Sequence, residues 1–208
     1  MAYHSGFNEA SDRFRVCCGC PLVPLNTQGT AGATNNSDGD SGASSPMDPV
    51  DEAIELFRPN SLFKSFDIRG PGDKLLVYLI MFISSCLRRI ADRKPTPNRE
   101  EARSLLFSQA HDRFPLPGQA GFPLGALMSA PANKEEEETI RSYLRQCREE
   151  AGRRLVDRIY TASSSSSGSS TGGAGSGGGG NSGDASAAAV PNKHWLAFAN
   201  RRFMDRTI

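Results

Sequence analysis

Apolar residues fall into helical stripes along most of this chain. Ile140, Tyr143, Leu144, Cys147, Ala151, Leu155 and Ile159 recur at helical spacing and predict one long amphipathic helix. Asn133 caps its start, and Glu136 three residues on completes a capping-box-like pair. Glu135 to Glu138 lie in the first turn, and Arg153, Arg154 and Arg158 lie towards the other end. Each charge sits where the helix dipole favours it. Asn133–Tyr160 would form a strut about 42 Å long. Upstream, Val50, Ile54 and Phe57 predict a short helix ending near Arg58–Pro59, with Pro59 opening the next turn. Leu62, Phe63 and Phe66 form a second apolar cluster. Pro71–Gly72 breaks the chain, and Asp73 is expected to cap a helix over Lys74–Arg93. That segment is apolar nearly all round in its first half, as a central buried helix would be, and is too long for a strand. Pro95 and Pro97 end it. Asn98, with Glu101 three residues on, caps a helix carrying Ala102, Leu105, Leu106 and Ala110.

The flanking segments follow other patterns. Ala2–Gln28 contains Pro21 and Pro24 and reads as extended, laying Phe14, Val16, Leu22, Val23 and Leu25 across the body. Between the last two long helices runs a proline-rich loop. Pro115, Pro117, Pro123 and Pro131 each fix φ and remove a backbone donor, so Phe114, Leu116, Phe122 and Leu124 are held on a stiff backbone. In the last segment Trp195, Phe198, Ala199 and Phe203 recur at helical spacing. The expected fold class is mainly α: a single compact multi-helix domain of about five helices, with an extended N-terminal segment and a proline-rich loop.

Composition marks two stretches that cannot pack. Residues 27–48 are rich in Gly, Ser, Thr, Asn and Asp, and residues 163–190 are almost entirely Ser, Gly and Ala. Neither has the large apolar side chains needed to offset ordering entropy. They read as flexible low-complexity inserts, leaving 158 of 208 residues for one ordinary domain. The inserts carry Asp38, Asp40, Asp48 and Asp184 and no Lys or Arg, so the net charge rises from +1 for the chain to +5 for the packed portion. That mild excess suits an acidic partner surface and is too small and spread out to argue for nucleic acid. The longest apolar run, Leu75–Ile83, is nine residues. A membrane span needs roughly 18 or more. MAYHSGFNEA does not resemble a secretory signal, and five cysteines without one argue for free thiols in a reducing cytosol.

The candidate chemistry is sparse. Cys17, Cys18 and Cys20 cluster, but Cys86 and Cys147 stand singly and His4 is the only nearby imidazole. Partly buried free thiols are favoured over a structural metal site. His4, His111 and His194 have no motif partner, and no candidate nucleophile sits in a catalytic motif. Gly172–Gly183 lacks the Lys-Ser/Thr ending of a phosphate loop. No catalytic, cofactor or metal residue is assigned. Candidate partner-binding residues are Trp195, Phe198, Arg201, Arg202 and Phe203, because interface hot spots favour Trp and Arg, together with Phe114 and Phe122 of the proline loop. Each ring has a competing role in covering the core.

Four blocks carry a resemblance. They are FPLPGQAGFPLGAL…APANKEEEE…RSYLRQCREEAGRRL, the segment Ala2–Gln28, the stretch Val50–Ile68, and NKHWLAFANRRFM at Asn192–Met204. In this order they resemble the actin-related protein 2/3 complex subunit 3 family, with one such domain over residues 1–208 and inserts at 27–48 and 163–190. The resemblance implies a short connection where this chain has residues 163–190, and no required cysteine at Cys17, Cys18 or Cys20. It also implies a non-catalytic structural subunit, without cofactor, in the cytoplasm and cytoskeleton. Such a subunit docks on actin-related protein three within a seven-subunit complex and supports nucleation of branched actin filaments. Implied partners are the other subunits and the actin filament, with no membrane. The residues alone leave open a free-standing helical adaptor, or an RNA-binding protein using the basic aromatic C-terminus.

Overall fold

The computed structural model describes residues 2–27, 47–160, 190–201 and 203–205. Its described helices are α1 (Pro49–Asn60), α2 (Pro71–Ala91), α3 (Arg99–His111), α4 (Lys134–Tyr160) and the short α5 (Lys193–Leu196). The mainly α fold class is as expected. Among these residues, no helix is long and apolar enough to cross a membrane.

α2 is the axis of the core. Residues Leu75 to Ile83 are all buried, and α1, α3, α4 and α5 pack around them. α4 supplies the predicted stripe from Ile140 to Ile159, every member buried. Asn133 accepts from the Glu136 backbone N–H at 2.8 Å, as a cap should. The Glu136 carboxylate reaches one residue further back than a capping box requires, taking the Ala132 N–H at 2.6 Å. The Asn98–Glu101 box at α3 is complete in both directions.

Four local expectations change. Ala2–Gln28 is not simply extended. It forms a 3-10 turn over Gly6–Asp12 and a small antiparallel hairpin, β1 (Val16–Cys17) with β2 (Cys20–Pro21). Asp73 caps nothing. Pro71 starts α2 at its first turn, where a missing N–H costs least. Asp73, fully buried, instead accepts from the Ser5 N–H and the Arg69 N–H and meets His4 Nδ1 at 2.8 Å. α1 runs through Pro59 to Asn60 because Pro59 sits in its last turn and removes only one bond. Asn60 then exchanges two 2.9 Å hydrogen bonds with the Tyr3 backbone. Asp48, assigned to the first insert, belongs to the body. It is buried and caps α1 by accepting from the Val50 and Asp51 N–H groups.

The N-terminal turn is thus pinned by Asn60, Glu52 and Asp73. Glu52 accepts from the Ser5 hydroxyl at 2.6 Å and the Gly6 N–H at 2.7 Å. A buried polar segment is tolerated only when its groups are paired in this way.

The proline loop folds back on itself at Gly118, whose φ is +84°. A Cβ there would collide with the Cβ of Ala130. Gly118→Ala should therefore cost about 2 kcal/mol, from left-handed backbone strain and crowding together. A thermal melt would read this as a fall of about 6 °C. An unchanged melt would mean that the loop repacks without penalty.

Candidate docking surface

The C-terminal segment closes over α1. Its position is fixed first by the backbone, where the Asn192 N–H donates to the Ile159 carbonyl at 2.9 Å. The Asn192 side chain then caps α5 by accepting from the His194 N–H. The expected continuous helix is absent. α5 lasts only four residues, and turns lead to a second short helical turn at Phe203–Asp205. The aromatic spacing is met by turns because each ring has its own socket.

Trp195 stacks on Phe57 of α1, with centroids 5.9 Å apart and planes 12° apart. Phe198 meets the same ring edge-on at 6.1 Å. The exposed Arg58 guanidinium lies 6.0 Å from the Trp195 ring and 5.6 Å from the Phe198 ring, within cation–π range. Phe203 is buried edge-on against Phe66 at 5.8 Å. Arg201 is exposed, and Arg202 lies outside the described residues. Phe57 and Trp195 therefore form a buried layer under Arg58 and Phe198, Phe203 is buried on Phe66, and Arg201 is exposed beyond them.

The proline loop turns its rings inward. Phe114 is 8 % exposed and covers the guanidinium of Arg148 at 4.3 Å, while Phe82 holds the other contact at 4.7 Å. Arg148 also donates to the Gln109 carbonyl at 2.7 Å. Among the described residues no carboxylate pairs with this buried cation, and two rings and a carbonyl take the place of water. Phe122 stacks on Tyr78 at 6.1 Å, and Leu116 and Leu124 are buried. The structure brings Trp195 and Phe198 together on Phe57, seats Phe203 on Phe66, and places Phe114 and Phe122 beside α4 and α2.

A third surface feature was not anticipated. Phe107 of α3 is 56 % exposed and meets the His111 ring at 4.4 Å with the planes tilted 51° apart. It lines a groove of about 530 Å³ with Arg103, Ser104, Glu149 and Arg153. The available signal was its position one residue beyond Leu106, off the stripe that α3 buries.

The titratable groups are arranged for structure. All five cysteines are free and buried. Burial pushes the Cys18, Cys86 and Cys147 thiols up to about 12, which suppresses the nucleophilic thiolate. Burial raises the Glu52 carboxyl, and the Ser5 and Gly6 hydrogen bonds only partly offset this. Burial also pushes Asp48 upward, but hydrogen bonds from Arg154, Asp51 and Asn26 outweigh it and hold the carboxyl below its ordinary range.

Residues 1–169 match the P21-Arc family, described as the ARP2/3 complex ARPC3 (21 kDa) subunit. The chain is 33% identical over 208 residues to the actin-related protein 2/3 complex subunit 3 of Dictyostelium discoideum, covering 100% of both chains. It is 35% identical over 207 residues to the Arabidopsis thaliana protein of that name, covering 99% of this chain and 98% of that one. The Saccharomyces cerevisiae protein is 34% identical over 210 residues, with coverage of 100% and 99%.

Proposed function

The chain belongs to the P21-Arc family, and from that premise we propose that it is a non-catalytic structural subunit of the actin-related protein 2/3 complex. The observation that carries this reading is the match over essentially the whole chain to relatives bearing that subunit's name. The subunit docks on actin-related protein three, works with the other subunits, and supports nucleation of branched actin filaments in the cytoplasm and cytoskeleton. Nucleotide chemistry belongs to the actin-like subunits, and this chain contributes shape and fixed contacts.

Arg58, Phe198 and Arg201 are assigned here to the docking face. Aromatic edges beside exposed arginines give the hot-spot chemistry that a partly acidic partner surface takes up. Trp195 acts from beneath Arg58, and Phe203 seats the segment on Phe66. Phe114 and Phe122 shape the surface of the proline loop through Arg148 and Tyr78.

The test is affinity purification of the tagged chain from its native cells at moderate salt, followed by mass spectrometry. Two actin-related proteins and the other small subunits in near-equal amounts are expected. The chain alone, or with RNA-associated proteins that wash off with salt, would overturn the reading. Arg58→Glu with Arg201→Glu should reduce recovery about tenfold while leaving the melt unchanged. Full recovery by that variant would place the docking face elsewhere.

A further inference from the structure

The hairpin β1–β2 brings the cysteine cluster against the first turn of α4. Cys17 and Cys18 lie at its turn, with Cys18 at φ +53° and Gly19 at φ +77°. This backbone turns two adjacent side chains to one side, so that their Sγ atoms sit 4.0 Å apart. Glu136, 118 residues further along the chain, faces them. Its Oε1 lies 3.5 Å from the Cys18 N–H, and its backbone carbonyl lies 3.6 Å from Cys17 Sγ. One donor atom from each of Cys17, Cys18 and Glu136 falls within 4.8 Å of the others.

We infer that Cys17, Cys18 and Glu136 form a site for a thiophilic divalent cation of the zinc type. Two sulfur donors on a tetrahedral zinc stand about 3.8 Å apart, given Zn–S bonds near 2.3 Å. The observed sulfur separation needs little adjustment to meet that. A carboxylate oxygen is an accepted third donor, and water takes the fourth position. The mixed sulfur and oxygen set excludes calcium and magnesium, which take oxygen donors.

Hydrogen bonds already hold these groups in place. Glu136 is held by the Ala132 N–H at 2.6 Å through its other oxygen, and the Ser129 N–H donates to the Cys18 carbonyl at 3.2 Å. Glu136 is half-buried and gives the site its side towards solvent, whereas both thiols are covered. Binding forms two Zn–S bonds and one Zn–O bond, and the two thiol protons pass to buffer. No electron is transferred. The ion would clip the N-terminal hairpin to the head of α4.

Reduced full-length chain, freed of metal, is titrated with cobalt(II) as a spectroscopic substitute and then with zinc against a chromophoric chelator. One equivalent of cobalt should produce a thiolate-to-cobalt charge-transfer band that zinc abolishes. Cys17→Ser and Cys18→Ser should each reduce that band. Glu136→Gln should keep it but weaken zinc binding roughly tenfold or more. Zinc should also raise the melting temperature of the wild-type chain. No charge-transfer band, or one untouched by the cysteine substitutions, would overturn the site. If a cysteine variant does not fold, Glu136→Gln decides, because equal zinc affinity in that variant removes the third ligand and with it the proposal.

Discussion

Arg154→Met should lower the unfolding free energy by about 3–5 kcal/mol and the melting temperature by about 10 °C. Arg154 of α4 forms a two-pronged pair with Asp48, Nη1 to Oδ1 at 2.7 Å and Nη2 to Oδ2 at 2.8 Å. It also donates to the Asn26 carbonyl and to Glu150. Asp48 is 3 % exposed. Without the guanidinium, its carboxylate keeps backbone donors but loses its counter-charge in a place water cannot reach. Arg154→Met with Asp48→Asn should therefore cost less than Arg154→Met alone, a sign no solvent-screened pair would give. Urea unfolding of the three variants reads this. A single-variant loss within about 1 kcal/mol of zero would reduce the pair to an ordinary surface contact.

The same pair predicts a pH dependence. The Asp48 carboxyl is held below its ordinary value in the folded chain, so the unfolded chain binds its proton first as pH falls. Its stabilisation is fully present above the unfolded value near pH 4 and is lost as pH drops through the lower folded value. Arg154→Met should flatten that part of the acid-stability curve.

Phe57→Ala should cost about 3–5 kcal/mol and undock the C-terminal segment. Phe57 is fully buried and is the ring on which both Trp195 and Phe198 rest. Trp195 is the only tryptophan, so its emission reports this contact alone. A red-shifted spectrum, with quencher access before the main unfolding transition, is expected. An unchanged spectrum would show that the segment is held by its backbone bond to Ile159 rather than by ring packing.

Helix positions and caps were legible because they depend on neighbours three and four residues away. The stripe from Ile140 to Ile159, the Asn133 cap and the Asn98–Glu101 box all arise from such local contacts. Asp73 and Asp48 were misread for the opposite reason. Asp73 lies inside the first turn of α2 and takes His4 and Ser5 of the distant N-terminal turn as partners, while Asp48, a true cap, is also held in the body by Arg154. The proline loop marked Phe114 and Phe122, and helical spacing marked Trp195, as anchors without showing for what, since a ring that seals a core and one that meets a partner leave the same pattern. The C-terminal spacing imitated a helix because sockets on α1 and near Phe66 recur at similar intervals. The Cys17–Cys18 pair was visible in the sequence, but Glu136 was not, because it reaches the pair from the first turn of α4, far along the chain.

Arg154 also closes a ring whose consequences reach beyond stability. It grips the Asn26 carbonyl and the Asp48 carboxylate together, and the Asn26 N–H donates to Asp48 at 2.7 Å. The chain therefore leaves the body and re-enters it at one point, whatever number of residues lies between. Asn192 and Ile159 meet in the same way across the second long connection. Once such a doorway is fastened, added length enters closure entropy only logarithmically. These two doorways are natural grafting points. A reporter or a whole domain could be spliced there without the body registering its size, and a lineage could lengthen or rewrite those stretches while leaving the fold unaltered.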